Sequence, residues 1–568
     1  MILWLTMVEI NDELQIANDE YLNGYFDSSF VIFDVDRAPV LSLFKLPRFK
    51  MAQTPNNLLA AIDIGSSAIR MHVAEVRPDG SIYVLDSLKK GVQLGKDAFT
   101  EGHLSEESIR AACEVLRDFK KVMDTYGVLR YRAVATSAVR ESLNRETFLD
   151  RVLMSTGLDV EIIDGPEENR LTYSAVFESL KGGPDLGKGK ALLVEVGGGS
   201  TDVTLLSGGE PVQSGTFPLG SIRLRAGASA SSGSHEQQVR LLKRQITGFL
   251  SNIKRSIEVK EAINYIAVGG DVRFAARALK KGSEDVSKPV VISKESFTEF
   301  VDTVSKLTID GLVQKHSLSY LDAETIAPAL LTYLQLLKET QAQELIVSQA
   351  SIRAGILQDL APAEQGKRLK RLTHQILSAA RSLGRKYQYD ERHGERVREL
   401  ACLLFDELRT EQRMNDTHRL YLEVAALLHD IGLFVSSRSH HKHSHYLISS
   451  SELFGLRQRE LEIIANVARY HRRALPQRSH TPFISLERDE RMIVSKLASI
   501  LRVANALDKE HLQKVTDLKV VREGDQIVLI AQNTSDLTME RAALASRSDF
   551  FAEIFGKKVI LREAPKTP

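Results

Sequence analysis

The sequence has very little cysteine and no long apolar run. Only Cys113 and Cys402 occur in 568 residues, which excludes a disulfide scaffold and a thiolate zinc cluster and is typical of the reducing cytoplasm. No uninterrupted apolar run reaches the ~18 residues of a membrane span. The sequence also has almost no excess of either charge, because it contains 75 Lys and Arg and 74 Asp and Glu. A basic nucleic-acid coat and an acidic tail are thereby excluded, so a polyanion site must be a local patch.

The overall composition is that of a globular chain with several domains. Apolar residues make up 43% and charged residues 26%, and at ~150 residues per unit the length predicts about four units. Residues 1–50 differ from the rest, and the single tryptophan, Trp4, lies there. They show no clear basic segment or cleavage site of a signal peptide. We interpret them as an N-terminal extension of doubtful status, either a mis-assigned start ahead of Met51 or a family-specific appendage.

One strand–turn–strand pattern occurs twice in the first two thirds of the chain. Residues 58–65 and 191–197 are both apolar runs that end in an acidic residue and a glycine turn, and a second strand follows each. Two copies of one supersecondary unit predict a duplicated α/β domain with a cleft between the halves. We assign residues 51–184 to the first lobe and residues 185–361 to the second.

The remaining chain changes character after a charged junction at 362–372. Helices are predicted within the lobes at 105–126, 235–259, 294–314 and 321–338. Residues 362–510 are helical and rich in histidine. Residues 511–568 return to strand signals, with a hairpin turn at Glu523-Gly524-Asp525, and are assigned to a small α+β segment.

The two glycine turns have the composition of phosphate-binding loops. The first reads Asp63-Ile64-Gly65-Ser66-Ser67, and the second reads Glu195-Val196-Gly197-Gly198-Gly199-Ser200-Thr201-Asp202. Glycine lets backbone N–H groups approach an anion, and hydroxyl groups add donors. The acidic residues repel phosphate, but they are suited to hold Mg²⁺ beside it.

These loops resemble those of the exopolyphosphatase and guanosine pentaphosphate phosphohydrolase (Ppx/GppA) family. Two segments between them, 135–144 and 164–170, carry the resemblance further, and it extends from about 58 to 510. The family has the duplicated actin-like fold, related to ribonuclease H, sugar kinases and heat-shock chaperone ATPases. The resemblance implies Mg²⁺-dependent release of terminal phosphate by a homodimer. The composition predicts a cytoplasmic protein with no membrane partner and no nucleic-acid partner.

The resemblance also implies a role for each matched position. Glu168 matches the catalytic glutamate that activates water, and Arg140 matches an arginine that steadies the terminal phosphate. The metal-holding acids are Asp63, Glu195 and Asp202. The phosphate cradle comprises Gly65, Ser66, Ser67, Gly197, Gly198, Gly199, Ser200 and Thr201. Three features depart from the family pattern: the acids at 195 and 202 are exchanged in length, Ser67 replaces an asparagine, and Asp271 stands where a small hydroxyl residue is common.

A second candidate site lies in the helical region. His393, His429, Asp430 and Asp508 follow the order of the HD superfamily of metal-dependent phosphohydrolases, and the mixture of imidazole and carboxylate suits a transition metal. The alternative is a degenerate domain that serves dimerisation and polyanion binding. Around it, a polyanion channel is predicted from a concentration of basic residues, namely His441, His443, His445, Arg469, His471, Arg472 and Arg473.

Four functions follow from these motifs. The first is an Mg²⁺-dependent exopolyphosphatase, and the second is the same reaction on guanosine pentaphosphate. The third is a polyphosphate- or nucleotide-sensing regulator with little turnover, which the exchanged acids favour. The fourth is a metal-dependent phosphohydrolase that uses the histidine site.

Overall fold

The computed structural model describes residues 57–181, 186–229, 234–280, 288–361, 365–409, 412–472, 474–532 and 536–564. The extension at 1–50 and Arg473 lie outside the described residues. None of the described helices combines the length and apolarity needed to cross a membrane.

The first lobe is built on a mixed five-stranded sheet with the order β3-β2-β1-β4-β5. Its strands are β1 (Leu58–Ile64), β2 (Ala68–Val76), β3 (Ile82–Gly91), β4 (Arg130–Ala135) and β5 (Val160–Ile162). Its helices are α1 (Leu94–Thr100), α2 (Glu106–Tyr126), α3 (Ser137–Glu141), α4 (Arg145–Thr156) and α5 (Gly165–Ser179). β1 is buried along nearly its whole length, because a central strand with parallel and antiparallel neighbours is covered on both faces.

The second lobe has a six-stranded sheet with the order β10-β11-β9-β6-β7-β8. Its strands are β6 (Lys190–Val196), β7 (Thr201–Ser207), β8 (Glu210–Phe217), β9 (Ala262–Val268), β10 (Val290–Ser293) and β11 (Glu344–Val347). Its helices are α6 (Ser221–Ser229), α7 (His235–Ser256), α8 (Gly270–Leu279), α9 (Lys294–Lys306), α10 (Ile309–His316), α11 (Tyr320–Lys338) and α12 (Ile352–Leu360). Apart from the edge strand β10, the strand order repeats that of the first lobe.

The repeat extends to individual backbone contacts. Asp63 pairs with Arg70 across the first hairpin, and Glu195 pairs with Asp202 across the second. The N–H of Gly65 donates to the carbonyl of Ala68 at 3.1 Å, and that of Gly197 donates to Ser200 at 2.8 Å. The two glycine turns are therefore equivalent turns of a duplicated unit.

Two helices connect the lobes by packing on the opposite sheet. α5 follows the last strand of the first lobe, yet it contacts β7 and β8 of the second. α12 follows the last strand of the second lobe, yet it contacts β1, β2 and β4 of the first. By its packing, α5 therefore belongs with the second sheet and α12 with the first, although the boundaries placed at 184 and 361 assign each helix to the other lobe.

The C-terminal third is helical and ends in a small sheet. Its helices are α13 (Gln365–Lys386), α14 (Glu391–Leu408), α15 (Asp416–Leu428), α16 (His440–Ser449), α17 (Gln458–Arg469), α18 (Thr481–Ile484) and α19 (Arg488–Ala506). Then come β12 (Asp517–Glu523), β13 (Gln526–Gln532), α20 (Thr538–Ala545), α21 (Asp549–Phe555) and β14 (Lys558–Glu563). Both α20 and α21 contact α19, so this last segment packs on the helical bundle.

One predicted helix is divided in the structure. The single helix expected at 294–314 is α9 followed by α10, because the Thr308 side chain accepts a hydrogen bond from the N–H of Gly311 at 3.2 Å and starts a new helix. The helix predicted at 235–259 ends at Ser256.

Candidate active site between the lobes

The two glycine turns pack directly against each other. A Cβ added at Gly198 would lie 2.9 Å from the Ser66 Cβ, and one added at Gly199 would lie 2.2 Å from the Phe99 Cζ. Ser66 Oγ is 3.2 Å from Ser137 Oγ, at the start of α3. Gly198 is thus required for the close approach of the two turns, and Gly199 for the packing on Phe99, in addition to any contact with an anion.

A cavity of about 420 Å³ opens beside these turns. Six of the eight residues assigned to the phosphate cradle line it, namely Gly65, Ser66, Ser67, Gly197, Gly198 and Ser200. Gly199 and Thr201 do not line it: Gly199 packs on Phe99, and the buried Thr201 hydroxyl donates to the Leu219 carbonyl. The ionisable lining is five acids and five bases, namely Asp63, Glu168, Glu195, Asp271, Asp322, Arg70, Lys89, Arg273, Arg277 and Arg353.

The start of α5 places Glu168 in this cavity. Asp164 caps the helix by accepting from the Glu167 N–H at 3.1 Å, and Glu168 lies in the first turn. Arg140 Nη1 donates to Glu168 Oε2 at 3.2 Å and to the Ile163 carbonyl at 2.7 Å. The Glu168 side chain is only 15% exposed. Burial raises the pKa of Glu168 to about 7 against the opposing charge of Arg140, with Glu195 and Asp63 adding to the rise.

The three predicted metal ligands do not occupy equivalent positions. Asp63 and Glu195 line the cavity, and Glu195 Oε2 accepts a hydrogen bond from the Thr172 hydroxyl at 2.7 Å. Asp202 is buried behind them, outside the cavity lining, and accepts from the Thr216 hydroxyl at 2.7 Å. Burial is the main cause that raises the pKa of both Glu195 and Asp202. The family's Asp and Glu are exchanged between positions 195 and 202. As a result, the longer side chain stands at position 195, which lines the cavity.

The carboxylates of the cavity fit a divalent cation. Asp63 raises the pKa of both Glu168 and Glu195, so these three side chains repel one another electrostatically. Oxygen ligands of this kind are those that Mg²⁺ prefers, and a bound cation would relieve the repulsion. Asp63 and Glu195, which line the cavity, would hold it, whereas Asp202 lies outside the lining.

Three arginines that the motifs did not identify complete the cavity. Arg70 Nη1 lies 3.6 Å from Asp63 Oδ2, and Arg273 Nη1 donates to the Ala350 carbonyl at 3.0 Å. Arg353 Nε is buried and makes no hydrogen bond to any described residue, and burial lowers the pKa of Arg353 to about 10. Buried donors are normally paired, so this arginine fits an anionic ligand. The register of β1 and β2 could have identified Arg70, which stands opposite Asp63.

Asp271, the departure in the third glycine turn, also lines the cavity. Burial, followed by repulsion from Asp322, raises the pKa of Asp271 to about 6. Asp271 therefore adds negative charge above this pH, on the side of the cavity that faces α11.

The helical region contacts the back of this site. Glu452 Oε2 accepts from the N–H of Thr216 at 2.8 Å, and Thr216 in turn donates to Asp202. The N–H of Gln458 donates to the N-cap residue Asp164 at 2.9 Å. The helical region thus holds both the strand behind Asp202 and the start of the helix that carries Glu168.

The predicted second site is assembled in the helical region. His393, His429 and Asp430 bring their ligand atoms together, and the same carboxylate also meets His440 and His471. The sequence did not identify His440. Asp508 lies beside His393 and accepts from its Nδ1 at 2.7 Å, so it orients a candidate ligand.

The charge of the predicted polyanion channel is smaller than the sequence indicated. Burial lowers the pKa of His441 and His445 to about 4, and it also lowers the pKa of the fully buried His471. These three histidines are therefore neutral at neutral pH, because their environment disfavours the charged form. Among the described members of the channel, Arg469 and Arg472 keep a permanent charge.

Comparison with known proteins gives consistent matches. The Ppx/GppA phosphatase family matches residues 72–364, and Ppx/GppA phosphatase, domain III matches residues 377–546. A relative from Vibrio parahaemolyticus named guanosine-5'-triphosphate,3'-diphosphate pyrophosphatase is 24% identical over 486 residues, which span 83% of this chain and 91% of the relative.

Two solved structures are similar to part of this chain. An exopolyphosphatase from Cytophaga hutchinsonii has a TM-score of 0.50 at 21% identity, and the match covers 54% of this chain and 97% of that one. A Ppx/GppA family member from Aquifex aeolicus has a TM-score of 0.46 at 27% identity, and covers 55% and 98%. The family matches confirm the resemblance. The Cytophaga hutchinsonii structure agrees with the two-lobed actin-like fold that the resemblance implied. With a family match over more than half of its length, the chain belongs to the Ppx/GppA phosphatase family.

Proposed function

We propose that the protein is an Mg²⁺-dependent exopolyphosphatase that removes the terminal phosphate of inorganic polyphosphate. The observation that carries the proposal is a single cavity that combines two equivalent glycine turns, a buried glutamate and five basic side chains. The turns offer N–H and hydroxyl donors for the terminal phosphoryl group. The basic side chains suit the phosphate groups next to the terminal one in the polyphosphate chain, because these groups carry negative charge but no base or sugar.

Glu168 is assigned to the attacking water. Its carboxylate orients the water and accepts a proton while the water oxygen bonds to the terminal phosphorus. The bridging P–O bond breaks, and its oxygen stays on the shortened chain. Asp63 and Glu195 would hold Mg²⁺, which when bound neutralises phosphoryl oxygens.

Arg140 is assigned as a positioning residue for Glu168. The sequence resemblance gave it to the terminal phosphate, but its described hydrogen bonds go to Glu168 and to the Ile163 carbonyl, and it is not part of the cavity lining. A guanidinium fixed at two points holds the carboxylate in one orientation. Its contribution is therefore to the placement of the base.

Hydrolysis of guanosine pentaphosphate is the second candidate. Phe274, Leu318 and Ile326 form an apolar part of the cavity wall, against which a base would pack. The Vibrio relative is named for this nucleotide. The Phe274→Ala variant separates the two substrates: it should raise KM for the pentaphosphate by about tenfold if the base packs there, and leave polyphosphate hydrolysis unchanged.

The experiment measures orthophosphate released from polyphosphate with Mg²⁺ by the wild type and by Glu168→Gln. The variant should lose ~10²–10⁴-fold in kcat, the range for a general base. Glu146→Gln on α4 is a matched control, because the Glu146 side chain is 79% exposed. Full activity of Glu168→Gln would show that another residue activates the water. Tight polyphosphate binding without release by the wild type would favour the sensing regulator.

Homodimer formation stays a prediction from the family resemblance. Sedimentation of the full chain tests it directly.

A further inference from the structure

A larger cavity lies between the lobes and the helical region, and we call it the interdomain cavity. Its volume is about 820 Å³, and it shares no lining residue with the cavity beside the glycine turns. α5 and α12 line one side, whereas α13 and residues 455–460 line the other. This volume is within the range of about 300–1,000 Å³ that is usual for small-molecule sites. The interdomain cavity is therefore large enough for a ligand of the size of a nucleotide.

The acidic side chains of the interdomain cavity already have partners. Arg132 and Arg170 donate to Glu167 at 2.8 and 2.7 Å. Although burial raises it, the hydrogen bonds from these two arginines lower the pKa of Glu167 to about 2. The other acids of the lining are Glu161, Glu178, Asp359 and Glu460, and their partners are Arg457, Lys181, Arg170 and the Tyr421 hydroxyl, respectively. The carboxylates therefore need no further cation.

The groups that lack full partners are cationic. Arg368 Nη1 is buried and makes no hydrogen bond to any described residue. Arg371 Nη1 is 3.6 Å from the Glu178 carboxylate, which is too long for a hydrogen bond. Buried donors are normally paired, and guanidinium groups bind phosphate oxygens through two parallel hydrogen bonds. An anionic ligand would therefore complete this side of the cavity.

One face of α13 also provides a flat surface. The Arg371 Cζ lies 4.9 Å from the centre of the Phe177 ring, so that the guanidinium covers the ring. A planar guanidinium on an aromatic ring is a surface on which a nucleotide base can stack. The helical spacing i, i+3, i+4, i+7 places four lining residues on this face, namely Arg368, Arg371, Leu372 and Gln375. The face thus combines a donor for phosphate with a stacking surface.

We propose that the interdomain cavity is a binding site for a nucleotide, with its phosphate groups on Arg368 and its base stacked on Arg371 and Phe177. A phosphate group alone would occupy the guanidinium, but it would leave the stacking surface and the large volume unfilled. Stacking does not depend on the identity of the base, so adenine and guanine nucleotides both suit the site. Since the two cavities share no lining residue, this site goes beyond the proposed hydrolysis of polyphosphate.

Two helices carry residues of both cavities. α5 places Glu168 in the catalytic cavity and Arg170 in the interdomain cavity, and α12 does the same with Arg353 and Asp359. Arg170 and Asp359 form an ion pair that joins the two helices. A ligand in the interdomain cavity therefore acts on the elements that place Glu168 and Arg353. We expect the bound nucleotide to change the rate of phosphate release, and this consequence rests on the proposed function.

The test is equilibrium dialysis of ADP with the full chain in EDTA. Without Mg²⁺ the carboxylates of the catalytic cavity repel a diphosphate, so the measurement reports on the interdomain cavity. The wild type should bind one ADP per chain. Arg368→Gln and Phe177→Ala should each raise Kd about tenfold or more, because one removes a charged donor and the other the stacking surface. Two controls should keep the wild-type Kd: Arg353→Met in the catalytic cavity, and Arg240→Gln on α7, where the arginine side chain is 62% exposed.

The proposal is overturned if the wild type does not bind ADP, or if Kd is unchanged in both Arg368→Gln and Phe177→Ala. Tripolyphosphate, which has no ring, should bind more weakly than ADP and should not respond to Phe177→Ala. Equal affinity for the two probes would show that a polyphosphate chain occupies the cavity instead. Circular dichroism checks that the variants fold, and the milder Phe177→Leu replaces Phe177→Ala if it does not.

The effect on hydrolysis is measured separately, as phosphate release from polyphosphate with Mg²⁺ at increasing ADP. The rate should change with ADP in the wild type and stay constant in Arg368→Gln. A constant rate in the wild type, or the same change in both proteins, would refute the coupling between the cavities. The dialysis result does not depend on hydrolysis, so failure of the proposed function and failure of the nucleotide site are distinguished.

Discussion

Replacing Glu168 by glutamine should have opposite effects on activity and on stability. The neutral amide removes the group that we assign to the attacking water. It also removes a buried carboxyl group that ionises unfavourably in the folded protein, since its pKa rises from 4.5 to about 7 on folding. The same substitution should therefore disable the enzyme and stabilise its metal-free fold at neutral and alkaline pH.

The size and pH range of the stabilisation follow from linkage. Between pH 4.5 and about 7 the unfolded chain has lost the proton that folded Glu168 keeps, so stability of the wild type falls as pH rises through this window. At ~1.4 kcal/mol per pKa unit, the loss between pH 5 and pH 8 amounts to roughly 2–3 kcal/mol. The variant has no such loss. The difference in unfolding free energy between the variant and the wild type should therefore increase by this amount from pH 5 to pH 8.

The assay is urea unfolding of both proteins in EDTA at pH 5 and pH 8. The quantity compared is the difference in unfolding free energy between the variant and the wild type. Its change between the two pH values does not contain any effect of the substitution that is independent of pH. The prediction is refuted if this difference is flat or decreases with pH. Such a result would mean that Glu168 is ionised in the folded metal-free protein, as an ordinary partner of Arg140.

Three further variants test the site, and a fourth serves as a control. Gly199→Ala places a Cβ 2.2 Å from Phe99 Cζ and should cost about 1–3 kcal/mol in unfolding free energy, whereas Gly248→Ala on α7, with nothing within 4 Å, should be neutral or stabilising by up to about 1 kcal/mol. Arg353→Met removes a charged donor for phosphate and should raise KM about 10–100-fold with little change in kcat; an unchanged KM would place the substrate elsewhere. Arg140→Lys should lower kcat about tenfold or more at nearly constant KM, because it releases Glu168, and a change confined to KM would indicate direct contact with substrate.

The sequence predicted the parts of the site that are local in the chain. The turns at Gly65 and Gly197 follow from short patterns of apolar residues, glycine and hydroxyl residues, and Glu168 lies in a similar short segment. Duplication of the pattern also predicted two lobes. Each of these features depends on neighbouring residues, which a linear pattern records.

Features that depend on distant contacts could not be predicted in this way. Arg353 lines the cavity because α12 returns to the first sheet, although it lies far from Gly65 in the chain. Asp202 was assigned to the metal by its place beside the loop, but its burial and its bond to Thr216 depend on β8 and on the helical region. His441 and His445 were counted as basic, although their charge depends on burial, which composition does not give.

The central claim is that the glycine turns hold the terminal phosphate within reach of Glu168. A crystal structure of Glu168→Gln with Mg²⁺ and a short polyphosphate tests it most directly. The account predicts the terminal phosphorus between Gly65–Ser67 and Gly197–Ser200, with one water between it and the side chain at position 168. A chain bound only in the helical region, or a terminal phosphorus beyond the reach of such a water, would contradict it.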